Sequence, residues 1–285
     1  MTGPAVCVIM PAYNAGRFIE EAIRSVMGQT FENWELLVID DGSKDDTVEV
    51  VQRLCREDDR ITLLRNPQNM GVARTRNRGL ELCNGRYAAL LDSDDVWHPE
   101  KLERQLRRAE ETGAQLLYSS YAIMDENGQS ARGDYLIPAE TDFSALLKEN
   151  VIGCSTVMLS PEIAEKYRFE TGYHHEDYVL WLQLLRDGYI AAGCTEVLTR
   201  WRYIANSRSF DKRKSAKSRW RIYREYLKLS RWQSAWAFCG YAMASLKKYG
   251  RKAKPTKEGA CSYGEDPCSP STGDVPASGG VGQSL

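Results

Sequence analysis

An α/β fold, with a mostly parallel sheet and helices on both of its faces, is what this sequence predicts. Three observations carry that expectation. Short apolar runs alternate four times with stretches of helical periodicity between Ala5 and Leu91, as in a chain of strand–helix–strand units. The runs are continuously apolar, as strands buried on both faces are. Two acidic clusters, Asp40-Asp41 and Asp92-Ser93-Asp94-Asp95, each follow such a run, which puts both on the sheet edge where open α/β sheets hold ligands.

The first run, Ala5 to Met10, is a buried strand that Pro11 ends; Asn14 is placed to cap a helix whose apolar positions Phe18, Ile19, Ala22, Ile23, Val26 and Met27 recur at helical spacing, and Gly28 closes it. Glu35 to Ile39 is the second strand. Thr47 starts a helix with Val48, Val51, Leu54 and Cys55 on one face. Ile61 to Leu64 is the third strand, and a helix from Gly71 to Cys83 carries Arg74, Arg76 and Arg78. Tyr87 to Leu91 is the fourth strand. A helix from Pro99 to Thr112, a strand from Gln115 to Tyr121 and a polar hairpin at Asp125-Glu126-Asn127-Gly128 follow, then a helix near Asp142 to Lys148. His174-His175-Glu176-Asp177 precedes Tyr178, Leu180, Trp181, Leu184 and Leu185 in helical periodicity. Acidic residues at a helix start complement its dipole, so Glu176 and Asp177 have a structural reading as well as a functional one.

Composition is that of an ordinary soluble protein, long enough at 285 residues to bury a real core. No charged leader with a long apolar core opens the chain and no run reaches the length of a membrane-spanning helix, so a cytoplasmic or peripheral protein is expected. The eight cysteines contain no Cys-x-x-Cys pair, and Cys7, Cys83, Cys154, Cys194 and Cys239 stand in apolar surroundings, which favours reduced, buried thiols. Charge is uneven: about −13 over residues 1–199, about +15 over 200–254 and about −3 beyond.

The acidic cluster after Leu91 sets the chemistry. Side chains alternate along an extended segment, so Asp92 and Asp94 fall on one side and Ser93 on the other. Two carboxylates that close repel unless a hard divalent cation, Mg²⁺ or Mn²⁺, lies between them with phosphate oxygens as further ligands. An acidic turn capping the helix near Pro99 is the alternative. No Gly-x-Gly-x-x-Gly or Walker-type loop follows either strand, which disfavours a dinucleotide-dependent oxidoreductase or a P-loop enzyme.

Val8-Ile9-Met10-Pro11-Ala12-Tyr13-Asn14, Gln29-Thr30-Phe31, Ile39-Asp40-Asp41-Gly42-Ser43, Gly71 through Arg76-Asn77, Asp92-Ser93-Asp94-Asp95 and Glu176-Asp177-Tyr178 together resemble the family 2 glycosyltransferases of GT-A fold, over about residues 5–249. Their order and spacing are more specific than any single block. The stretches Asn150 to Met158, Asp177 to Leu185 and Trp201 to Ser209 are similar to the subgroup that includes teichuronic-acid and other surface-polysaccharide transferases. The resemblance implies a GT-A, Rossmann-like sheet and an inverting transfer from a nucleotide-sugar donor, a UDP-sugar, to a lipid-linked or polysaccharide acceptor. It places Pro11, Tyr13, Asp41, Arg76, Asp92 and Asp94 at the donor, with Tyr13 stacked on the base and Asp41 accepting from it. Asp92, Asp94 and Asp95 would hold Mn²⁺ or Mg²⁺, and Asp177 would deprotonate the acceptor hydroxyl. One position departs: several relatives carry a His where this chain has Ile204. Either carboxylates, phosphates and water then hold the metal alone, or Arg200 and Arg202 contact phosphate directly. His98, His174 and His175 lack zinc-ligand spacing and read as surface or acceptor-site residues.

Two competing readings are a sugar nucleotidyltransferase, whose glycine- and arginine-rich loop is missing near the first strand, and a degenerate transferase domain whose basic region binds nucleic acid or another partner. Intact carboxylates at the motif positions argue against the second, and no nucleic acid is expected. The chain divides into a catalytic domain over 1–205, a basic amphipathic helical region over 206–254, and a tail over 255–285 too poor in apolar residues to fold. In the basic region Trp232, Trp236, Cys239, Met243 and Leu246 form one stripe flanked by Arg231 and by Lys247, Lys248, Arg251 and Lys252. That stripe suits an anionic membrane surface, the inner face of the membrane for a cytoplasmic enzyme with a lipid-linked acceptor. Packing on the catalytic domain, or on a second copy in a homo-oligomer, is the alternative cover.

Overall fold

The computed structural model describes residues 4–204 and 212–250. One ten-stranded sheet organises them, in the order β3-β2-β1-β4-β9-β6-β10-β5, with β7 on β6 and β8 on β10. The first half is parallel: β1 (Val6–Ala12), β2 (Trp34–Asp40), β3 (Ile61–Arg65) and β4 (Tyr87–Leu90) are joined by helices α1 (Ile19–Met27), α2 (Thr47–Glu57) and α3 (Val72–Leu82). β1 runs through Pro11 instead of stopping there. The reason lies in the ladder: Ile9 is the last residue of β1 to pair with β4, and Pro11 points to that same side, where no partner needs the N–H it lacks. Asn14, with φ 50°, does not cap α1; its Oδ1 accepts from the Lys44 N–H at 2.9 Å.

The second half is mixed. After the two-residue β5 (Val96–Trp97) and helix α4 (Lys101–Thr112) come β6 (Leu116–Met124), antiparallel β7 (Ser130–Tyr135), β8 (Glu140–Thr141) and α5 (Phe143–Lys148), which Asp142 caps by accepting from Ala145 N–H. β9 (Met158–Leu159) inserts antiparallel between β4 and β6. Helices α6 (Pro161–Lys166) and α7 (Glu176–Arg186) precede β10 (Ala191–Arg202), which pairs parallel to β6 over nearly its whole length. This twelve-residue strand is absent from the sequence expectation. Two register shifts, between Cys194 and Val197 and between Val197 and Thr199, break the alternation that would have announced it.

Successive residues of the parallel strands feed two cores. Val6, Val8, Met10, Leu36 and Val38 face α1, α2 and α4, while Cys7, Ile9, Leu37, Ile39, Ala88 and Leu90 face α3 and the later helices. A β-carbon on Gly79 of α3 would come within 2.3 Å of Ile9 Cγ2, so only glycine lets that helix sit this close to β1.

The basic region contains α8 (Lys212–Arg221), a π-helical turn (Ile222–Tyr226) and α9 (Arg231–Gly250). Ile222, Tyr223, Leu227 and Ala237 belong to the same core as α7 and β4, so the described part of 206–254 shares the catalytic body's interior. The inward face of α9 is Ser234 and Ala237, whereas Trp232, Cys239 and Met243 of the expected stripe point outward, and Trp236, though largely exposed, lies under the Lys148 ammonium of α5 at 4.3 Å. Cys239 is thus exposed, unlike the buried thiol expected. Residues 255–285, and with them the expected tail, lie outside the described residues, as do the side chain of Leu246 and the basic residues after it.

Candidate functional site

The parallel strands β1, β2 and β4 end on one edge, and the loops leaving them are laced together. Asn14 N–H donates to Ser43 Oγ at 2.9 Å, Ala15 N–H to Thr47 Oγ1 at 2.8 Å and Gly16 N–H to Asp45 Oδ2 at 3.0 Å, fixing the loop after β1 to the loop after β2. Tyr13, at 47 % exposure, stands clear of this lacing and offers a ring face to solvent. Pro11 is buried behind it. Asp41 is buried too, and both its oxygens are engaged: Oδ1 accepts from Asn66 Nδ2 at 2.7 Å and Met70 N–H at 2.8 Å, Oδ2 from Gly71 N–H at 2.8 Å. Its visible work is to shape the loop that enters α3 at Gly71, whose φ of 85° favours glycine.

Residues 92–95 form a tight turn, not an extended continuation of β4. Asp95 N–H donates to the Asp92 carbonyl at 3.2 Å. Asp95 is buried, with Oδ2 accepting from Ser155 Oγ and Oδ1 from Arg202 N–H at 2.8 Å. Each of its oxygens is thus held by a protein donor, and Asp95 ties the turn to Ser155 and to β10. Asp92 and Asp94 are half-buried and nearer solvent. Desolvation, reinforced by the neighbouring Asp92 charge, pushes the Asp94 carboxyl up to about 6. Two adjacent carboxylates, one of them held reluctantly ionised, are a donor set that a divalent cation would relieve. Among the described residues no three His, Cys, Asp or Glu side chains are grouped to enclose a metal.

Arg76 ties this turn to the start of α7. Its guanidinium is buried and donates to Asp92 Oδ1 at 2.6 Å and to Glu176 Oε1 at 2.9 Å. Burial alone would depress its pKa, but the Asp92 and Glu176 carboxylates outweigh that and hold it charged. Arg76 was expected at the donor; here it organises two acidic blocks. Asp177 is half-buried beside Glu176, its Oδ1 accepting from Tyr178 N–H at 2.8 Å. Desolvation first, then the Glu176 charge, raises it to about 6, a value suited to a carboxylate that takes a proton near neutrality.

Ser155 is what the sequence reading missed, and Arg202, named there as a candidate phosphate contact, has a second, structural part. Arg202 is buried, donating from Nε to the Asp94 carbonyl at 2.8 Å, from Nη1 to the carbonyls of Asp125 and Glu126, and from Nη2 to Glu21. It braces the acidic turn against the β6–β7 turn and α1. Arg200 donates to the Gly128 carbonyl. The signal for Ser155 lay in the block Asn150 to Met158, which carried the resemblance but no assigned role.

A family model described as glycosyl transferase family 2 matches residues 7–168. The chain is 36 % identical over 245 residues to TuaG of Bacillus subtilis (strain 168), named for teichuronic acid biosynthesis, covering 86 % of this chain and 97 % of that protein. It is also 36 % identical to the UDP-Glc:α-D-GlcNAc-diphosphoundecaprenol β-1,3-glucosyltransferase WfgD of Escherichia coli, over 89 % of this chain and 98 % of that one. Among solved structures, S. aureus TarS 1–349 in complex with UDP-GlcNAc superposes with a TM-score of 0.68 at 16 % identity, covering 85 % and 72 % of the two chains. The mannosyltransferase PcManGT of Pyrobaculum calidifontis, in complex with GDP-Man and Mn²⁺, gives 0.64 at 17 %, covering 88 % and 77 %. Both likenesses bear on the fold, which is GT-A.

Proposed function

The chain belongs to glycosyl transferase family 2, and on that premise we propose that it moves a sugar, with inversion, from a UDP-sugar to a lipid-linked or polysaccharide acceptor in surface-glycan biosynthesis. The observation that carries this reading is the linkage Asp92–Arg76–Glu176, which joins the acidic turn at a parallel-strand end to the helix start bearing Asp177. A donor-side cluster and a base candidate are thereby held as one rigid unit. The names of TuaG and WfgD support the pathway and the lipid-linked class of acceptor.

In this reading Tyr13 stacks on the base, and Asp41, through Met70 and Gly71, shapes the floor beneath it. Asp92 and Asp94 hold Mn²⁺ or Mg²⁺, whose charge when bound offsets that developing on the departing diphosphate. Asp95, Ser155 and Arg202 keep the turn in the shape that presents those carboxylates. Asp177 accepts the proton of the attacking acceptor hydroxyl, and backside attack at the anomeric carbon inverts it, as in hydrolysis with water in place of the acceptor. No helix among the described residues is long and apolar enough to cross a membrane. The outward Trp232, Trp236 and Met243 support a peripheral position on an anionic membrane face, where such an acceptor is met.

Incubating the protein with a panel of sugar nucleotides and following slow donor hydrolysis is the direct test. One UDP-sugar should be hydrolysed with Mn²⁺ or Mg²⁺, EDTA should abolish the activity, and Asp94→Ala should not regain it on metal addition. Undiminished turnover by the chelated Asp94→Ala variant would overturn the reading.

A further inference from the structure

An open groove of about 830 Å³ lies where α8 and its π-helical turn meet α9, lined by Lys217, Trp220, Arg221, Arg224, Arg231 and Trp232 together with Glu225 and Ala235. Its charge is one-sided. The single acid, Glu225, is paired with Arg221 at 2.6 Å, whereas Lys217 and Arg231 are exposed and carry no hydrogen bond or ion pair among the described residues. Trp232, at 87 % exposure, and Trp220, at 40 %, put indole faces beside those cations. Basic donors next to exposed indoles suit an amphiphile with a phosphate head and a hydrocarbon stem better than either part alone. The volume is that of a small-molecule site. The groove is also connected to the chemistry: Arg221 donates to the Gly172 carbonyl at 3.0 Å and lies over the Tyr173 ring, in the loop that runs into Glu176 and Asp177.

We propose that this groove is an acceptor subsite that binds the diphosphate and first hydrocarbon units of a lipid-carried acceptor. This inference rests on the acceptor class proposed above. Lys217 and Arg231 face the phosphates, with Arg224, which also donates to the Leu229 carbonyl, beside them, and Trp220 and Trp232 cover the proximal stem where it leaves for the bilayer. Specificity comes from requiring both parts, because the cations stand open to any anion and the indoles to any apolar chain.

The test uses the full chain with Mg²⁺ and saturating UDP, so that the donor site is filled. It is titrated separately with monomeric farnesyl diphosphate, inorganic diphosphate, farnesol and phosphatidylglycerol vesicles, and binding is read by calorimetry and indole fluorescence. Farnesyl diphosphate should bind at one saturable site about tenfold or more tighter than either half-ligand. Lys217→Gln with Arg231→Gln should weaken it by about tenfold, the loss expected for charge-assisted hydrogen bonds, and Trp232→Ala should weaken it independently. Melting temperature and UDP binding should stay at wild-type values in both variants. With a lipid-linked acceptor, the double variant should raise the acceptor KM and leave kcat unchanged. Equal binding of inorganic diphosphate would make this a bare anion site. Binding only to phosphatidylglycerol vesicles would make it a membrane-surface patch, and indifference to the double variant would remove the groove altogether; each overturns the proposal. Absence of UDP binding in every protein would instead sink the donor reading, and the farnesyl diphosphate arm would still report on the groove.

Discussion

Asp177 is the residue where environment and chemistry meet most directly. Burial and the Glu176 charge raise its carboxyl to about 6, so a base at this position is ionised above that value and lost below it. The transfer rate should therefore fall about tenfold per pH unit on the acid side of pH 6, a limb that kcat profiles would reveal. Asp177→Asn should keep donor affinity and lower the rate by about 10² to 10⁴. If affinity fell and rate did not, Asp177 would be a structural helix-start residue. Arg76 answers a different question. Arg76→Met removes the Arg76 charge from Glu176, whose side chain is 6 % exposed, and should cost about 3–5 kcal/mol in denaturant unfolding, as breaking buried pairs does. Arg76→Met with Glu176→Gln should recover much of that stability but not activity, because Asp92 also loses its partner.

Among the elements, α3 and α9 give the clearest expectations. Gly79→Leu drives a side chain into Ile9 at the α3–β1 contact and should destabilise by about 1–3 kcal/mol or more, seen as a lowered melting temperature. Trp236→Ala together with Met243→Ala removes outward apolar surface and should reduce flotation with phosphatidylglycerol vesicles while leaving neutral vesicles unaffected. Equal binding to both lipids would argue for a protein partner on this face. The elements also show where sequence legibility ends. Strands β1 to β4 were readable because each is a continuous apolar run bounded by a turn, and α1, α2 and α7 because their apolar periodicity is strict. β10 was not, since its bulges at Cys194 to Thr199 destroy the alternation. The acidic positions of the site were readable as types, but not their division of labour. Nothing local to Asp95 says that Ser155, 60 residues on, and Arg202, 107 residues on, will take both its oxygens. The same holds for Arg76, whose bond to Glu176 spans 100 residues.

Across the whole molecule, the site straddles the junction of the parallel and mixed halves of the sheet. Tyr13, Asp41, Arg76 and Asp92 come from the first half, and Ser155, Glu176, Asp177 and Arg202 from the second. A ligand that engages the assembled site but not the unfolded chain should stabilise both halves together, by about 2.7 kcal/mol at a hundredfold excess over Kd. UDP with Mg²⁺ should thus raise the melting temperature in one cooperative transition, and UDP in EDTA should not. The brace at Arg202 carries this into the time domain. It bonds to Glu21 across 181 positions and to Asp95 across 107, contacts that close late because loops of that length must form first. During synthesis the amino-terminal half can collapse on its own strands, whereas the acidic turn should gain its Arg202 brace only after residue 202 has left the ribosome. Stalled nascent chains ending before β10 should accordingly resist protease around β1 to β4 but fail to retain UDP, so a half-made enzyme would not hydrolyse donor to no purpose.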